Sequence, residues 1–202
     1  MVKSMFNNGF KSWLDTVKYV LQEAHLGIYL DKETLEEGDE QTILCTSKSV
    51  IYDNFSKSWF SAISNFPKMR TLVKFKKEMR LETYLLSIAN FKLRRILTKF
   101  RMSSHNLEIE RGRYTKPAVP AKDRLCKVCN LGVIEDEEHV LMKCEGYENL
   151  RAEYFNLLLT NTPNVALDFI EIMGSKDQNV IFYTAKLLEK IFSMRNKILN
   201  CF

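Results

Sequence analysis

Cys126-Lys127-Val128-Cys129 and, nine residues further on, His139-Val140-Leu141-Met142-Lys143-Cys144 form the stretch around which this chain is read. A Cys pair separated by two residues can bend its backbone around one metal ion, and a later His/Cys pair completes four-coordination. The other two cysteines, Cys45 and Cys201, lie far away in sequence. Cys126, Cys129, His139 and Cys144 are therefore the candidate ligands of a single Zn²⁺ in a Cys₃His site. Buried free thiols, or a disulfide with a spare thiol, are the competing readings. A closed set of four ligands leaves no position for water or substrate, so the zinc is expected to be structural and not catalytic. Three thiolates around Zn²⁺ leave a net negative charge, which Arg124, Lys127 and Lys143 are close enough in sequence to offset.

His139 and Cys144 are five residues apart, which places them about 140° apart around an ideal helix. An unbroken helix cannot present both to one ion. The spacing predicts a short helix over 136–143 that bears His139, unwinds near Cys144 and exits at Gly146. The run Glu135-Asp136-Glu137-Glu138 then falls in the first turn, where carboxylates offset the helix dipole.

The segment Leu97-Thr98-Lys99-Phe100-Arg101-Met102-Ser103-Ser104-His105-Asn106-Leu107-Glu108-Ile109-Glu110-Arg111-Gly112-Arg113-Tyr114 precedes this site. Arg124-Leu125-Cys126, Cys129, Glu135 to His139, Cys144 and Tyr147 follow in order. Together they resemble the zinc-binding region that follows the reverse transcriptase of LINE-type (non-LTR) retrotransposons. The upstream stretch from Lys68-Met69-Arg70-Thr71-Leu72 to Asn90-Phe91-Lys92 also resembles the helical segment before that zinc site, so the likeness covers much of residues 50–155. The resemblance implies the C-terminal tail of a larger polyprotein, one that helps a polymerase hold template RNA or target DNA. Polymerase and endonuclease chemistry would belong to upstream regions. Tyr52-Asp53 here lacks the second adjacent carboxylate of a two-metal site.

Outward from the centre, 202 residues with only seven glycines and four prolines favour helices. Residues 12–24 repeat apolar side chains at helical spacing, and a second amphipathic segment runs from Ile43 through Trp59 and Ile63 to Pro67. Trp13 and Trp59 are expected in the core and not as base-stacking platforms, and Cys45 as a buried or idle thiol. Residues 31–41 read as an acidic loop or helix entry. Residues 81–88, 90–102, 150–158 and 180–199 pattern further helices, the last of which is expected to pack within the chain, and residues 165–173 supply another short apolar segment. Residues 1–8 hold no apolar leader core, and no run approaches bilayer length. The expected fold is mostly α, multihelical, with one small Cys₃His zinc knuckle. It divides into an N-terminal helical region (1–66), a basic helical region (67–116), the knuckle (117–147) and C-terminal helices (148–202), in one or two compact units.

The formal net charge is only +5, yet basic residues concentrate between Lys68 and Lys127. On the helix over 90–102, Leu93, Ile96, Leu97 and Phe100 form an apolar face flanked by cations, with no carboxylate on the helix. Lys92, Arg95, Lys99 and Arg101, with Arg113 and Arg124, are the candidate phosphate contacts. His105 is expected at the surface, and Ser103-Ser104 as a cap for the helical turn after it. No Gly-rich phosphate loop, Ser/His/Asp order or H-E-x-x-H motif is present. The expected function is a structural-zinc nucleic-acid-binding module, not an enzyme on its own. Its partners are RNA, DNA or both and, by resemblance, a reverse transcriptase polypeptide, with no membrane and no small-molecule substrate. Its setting is intracellular, nuclear or cytoplasmic. The alternative is a zinc-stabilised protein-interaction module.

Overall fold

Helical spacing of apolar residues and few chain-breaking residues lead to a multihelical chain. The computed structural model describes residues 13–30, 40–164 and 166–200, and none of them belongs to a regular strand. One isolated antiparallel bridge joins Leu125 to Ile134. No helix among the described residues is long and apolar enough to cross a membrane. The chain divides into two compact units, residues 1–62 and 63–202.

The first unit contains α1 (Trp13–Glu23), a tight turn over Gly27–Leu30, and most of α2 (Glu40–Ser64). Ala24 and Leu26, just before the turn, are buried. The expectation that these helices bury their apolar stripes is corrected. No residue of α1 is buried, Trp13 is 78% exposed, and α2 buries only Ile63 at its C-terminal end. Trp59 is half-buried, edge-on to Phe60. An amphipathic pattern shows that a face can be buried, but a second packed layer is needed to bury it. Cys45 is exposed, and its sulfur accepts from Gln41 Nε2 at 3.8 Å. The predicted acidic loop falls largely on residues 31–39, which with residues 1–8 and Cys201 lie outside the described residues.

The second unit is built from α3 (Leu72–Phe75), α4 (Thr83–Ser87), α5 (Phe91–Arg101), α6 (Glu108–Arg111), α7 (Glu148–Asn161), α8 (Phe169–Gly174) and α9 (Gln178–Asn200). Asn90 starts α5 by accepting from the Leu93 N–H at 3.2 Å, and Leu93, Leu97 and Phe100 are then buried, with Ile96 half-buried, as the periodicity predicts. Helix α9 buries Val180, Ile181, Ala185, Leu187, Leu188 and Ile191 against α4, α5, α7 and α8. Its apolar stripe thus folds inward, each large side chain contributing about 1.5–3 kcal/mol of burial. Helix α4 is shorter than predicted, flanked by Glu82 and Ile88 in extended conformation, with Leu81 exposed ahead of it. The Ser103-Ser104 cap is also corrected. Helix α6 has no side-chain cap, and Ser103 is buried with its hydroxyl donating to Thr71 Oγ1 at 3.1 Å.

Candidate metal centre

The knuckle is formed by a short reversal. Cys126 N–H donates to the Val133 carbonyl at 2.8 Å and Glu135 N–H to the Arg124 carbonyl at 3.0 Å. Gly132 sits at φ +65°, the left-handed region that glycine enters without a Cβ clash. The second ligand pair comes from a helical turn that Asp136 starts, its Oδ1 accepting from the His139 N–H at 2.8 Å. The turn then widens to a π-type turn over His139–Lys143, closed by Cys144 N–H on the His139 carbonyl at 2.7 Å. Widening brings residues five apart onto one side, which an ideal α-helix does not do. Cys144 itself is extended, so the predicted unwinding occurs there. Gly146 follows for a packing reason, since a Cβ on it would lie 2.5 Å from Val128 Cγ1 in the facing loop.

Cys126, Cys129, His139 and Cys144 are all buried, and their ligand atoms lie within 4.8 Å of one another. Cys126 Sγ is 3.8 Å from Cys144 Sγ, and Cys129 Sγ is 3.4 Å from His139 Nε2. A tetrahedral ion with typical metal–sulfur and metal–nitrogen distances has S–S edges of about 3.8 Å and S–N edges of about 3.6 Å. The cluster therefore fits one four-coordinate metal ion. A 3.8 Å separation is far too long for a disulfide. The hydrogen bond from Cys144, acting against burial, draws the Cys126 thiol down to about 4. Cys144 is raised by that same bond and by burial, and Cys129 by burial first. Crowded thiols resist sharing negative charge, and a bound cation removes that conflict.

A buried ionic layer backs the cluster. Glu135 is fully buried, with its Oε1 4.0 Å from Cys126 Sγ, and it receives two hydrogen bonds from Arg195 at 2.8 and 2.7 Å. It also accepts from the Glu108 N–H at 2.7 Å, and Arg195 reaches Glu108 Oε1 at 3.3 Å. Burial alone would weaken the Arg195 charge, but the hydrogen bond and charge of Glu135 leave its pKa raised. Glu137, also buried, meets Arg70 at 2.6 Å and His105 Nε2 at 2.7 Å. Burial pushes this carboxyl up, but His105, Arg70 and Ser103 together hold it at about 2. The helix-dipole reading of Glu135 and Glu137 is thus corrected, and so is the surface reading of His105, whose side chain is only 2% exposed. Of the four acidic residues, Asp136 caps the turn and Glu138 remains at its surface with Lys143 at 2.7 Å.

A cation that the sequence reading missed lies beside the cluster. Arg151 Nη2 donates to the Cys144 backbone carbonyl at 3.0 Å, and burial leaves its pKa lowered despite the opposing influence of Cys144 and Glu148. Arg124, Lys127 and Lys143 have other partners: two backbone carbonyls, Glu108 and Glu138 respectively. No protein-family model, curated protein or solved structure significantly matches this chain.

The six candidate phosphate contacts separate into different environments. Arg95 and Lys99 are exposed on α5, and neither has a carboxylate partner among the described residues. Lys92 is exposed as well, but it pairs with Glu189 at 2.8 Å. Arg101 is a correction. It is 4% exposed, pairs with Glu82, donates to the Met173 carbonyl, and lies 4.4 Å from the Phe75 and 4.9 Å from the Tyr84 ring centroid. Arg124 is a second correction, because its Nε and Nη1 hold the carbonyls of Val119 and Ile109 at 2.9 and 2.7 Å. Its aliphatic stem crosses Gly112, where a Cβ would meet Arg124 Cγ at 2.8 Å. Arg113 is half-buried and paired with Glu110 at 3.3 Å.

Proposed function

We propose that this chain is a nucleic-acid-binding module built on one structural Zn²⁺, of the kind its resemblance to the tail of LINE-type reverse transcriptases implies. Zinc suits three thiolates and one imidazole at tetrahedral separations, and its binding contributes on the order of 10 kcal/mol to the folding of such modules. A closed ligand set makes the ion a scaffold and the chain a binder of template RNA or target DNA, not an enzyme on its own. In that role it works inside the cell, alongside a reverse transcriptase polypeptide.

The observation that carries the reading is the division of α5. Leu93, Leu97 and Phe100 fix the helix in the core, while Arg95 and Lys99 remain exposed with no carboxylate partner among the described residues. With Arg101 and Arg124 engaged internally, about three phosphates of a single strand are within the module's reach. Affinity should then fall about 20-fold between roughly 50 and 200 mM salt. Fluorescence-anisotropy titrations at several salt concentrations test this, and Arg95→Ala with Lys99→Ala should flatten the slope. Absence of binding to RNA and DNA at low salt would reject the reading.

The exposure of Trp13, Leu14, Tyr19 and Val20 along α1 favours a second reading, a zinc-stabilised protein-interaction module. A stable protein complex that survives nuclease treatment would support it over the first.

A further inference from the structure

Two clefts, each of about 370 Å³, share Ser104, His105 and Asn106 as lining residues. The first also lies against Lys68, Arg111 and Tyr114, and the second against Ile96, Lys99 and Phe192. Lys99, one of the unpartnered cations of α5, is thereby joined through a common rim to an aromatic platform. Tyr114 is 65% exposed, and the Lys68 ammonium lies 5.5 Å from its ring centroid. A large exposed ring contributes nothing to the core; the Lys68 ammonium lies over one face of it, so a base would stack on the opposite face, with that positive charge within reach of a flanking phosphate.

The charge along the rim is positive. Glu110, the carboxylate lining the first cleft, is already held by Arg70 and Arg113. Arg111 is 55% exposed with only a 3.4 Å contact to Glu108, and Lys68 and Lys99 have no carboxylate partner among the described residues. Ser104 and Asn106 are exposed between the two clefts and add hydrogen-bonding groups. A duplex hides its base faces in the stack, whereas a single strand can present one to an aromatic ring. Each cleft is large enough for a single nucleobase.

We infer that these joined clefts bind single-stranded nucleic acid, with a base stacked on Tyr114 and adjacent phosphates on Lys68, Arg111 and Lys99. This rests on the nucleic-acid reading above and specifies the class of strand. The probes are a short oligoadenylate, an abasic strand of equal charge and a duplex of the same length, each titrated by fluorescence anisotropy with the full, metal-loaded chain. Tyr114→Ala should weaken oligoadenylate binding on the order of tenfold, and Tyr114→Phe should restore it. Binding of the abasic strand should not respond to either substitution. Helical circular dichroism and metal content, expected to be unchanged, report folding. If the wild-type chain binds strands and Tyr114→Ala binds oligoadenylate equally well, the stacking site is overturned while the nucleic-acid reading stands. If the wild-type chain binds none of the three probes, both fall together.

Discussion

Replacing Arg195 by Met should destabilise the second unit more than removal of any exposed cation. Arg195 is 1% exposed and Glu135 is fully buried, so neither charge is screened by solvent. Met keeps much of the side-chain volume but removes both hydrogen bonds to Glu135 and the weaker one to Glu108. The Glu135 carboxylate is then left uncompensated 4.0 Å from Cys126 Sγ. Removing one partner of a buried ion pair costs about 3–5 kcal/mol, chiefly because the other charge stays behind. Glu135→Gln in the same chain should recover part of this loss, giving a coupling of about 2 kcal/mol or more in a double-mutant cycle. Urea denaturation followed by helical circular dichroism, at fixed free zinc, measures all four corners of the cycle. A cost below about 1 kcal/mol for Arg195→Met, with full metal retention, would refute the idea that this clamp braces the metal centre.

Two further outcomes follow from the residues around the cluster. Glu137 is held at about 2 against an ordinary 4.5, so its contribution is fully present above pH 4.5 and is lost as pH falls towards 2. The stability gap between wild type and Glu137→Gln should therefore close by about 3 kcal/mol across that window, and a gap that does not change with pH would contradict the pairing of this carboxylate with His105 and Arg70. Gly146→Ala forces a Cβ to within 2.5 Å of Val128 Cγ1 and should cost about 1–3 kcal/mol in urea denaturation, whereas a neutral result would show that the facing loop yields freely.

The four ligands and the buried face of α5 were legible because both signals are local: cysteine spacing in one case, helical periodicity in the other. Glu135 and Glu137 were not, since four consecutive acidic residues read as solvated and their partners Arg195 and Arg70 lie 60 and 67 residues away. Arg101 was projected outward with the other cations of its helix, but Glu82 and the Met173 carbonyl hold its Nη atoms inside. Its arginine fork tolerates such burial when flat rings cover it. The five-residue spacing of His139 and Cys144 did show that an ideal helix must fail there. It did not show that the turn would widen before it ends. The stripe of α1 was misread for the opposite reason, since periodicity names a face and does not supply the layer that covers it.

The proposed zinc site at the Cys₃His cluster carries the rest of the reading, so the most direct measurement is the metal content of the purified chain with and without one candidate ligand. Elemental analysis should find one zinc per chain, and Cys129→Ser should lose it together with much of the cooperative unfolding of the second unit. Zinc-free wild-type protein that unfolds with the same cooperativity, or a Cys129→Ser chain that retains zinc in full, would contradict the account.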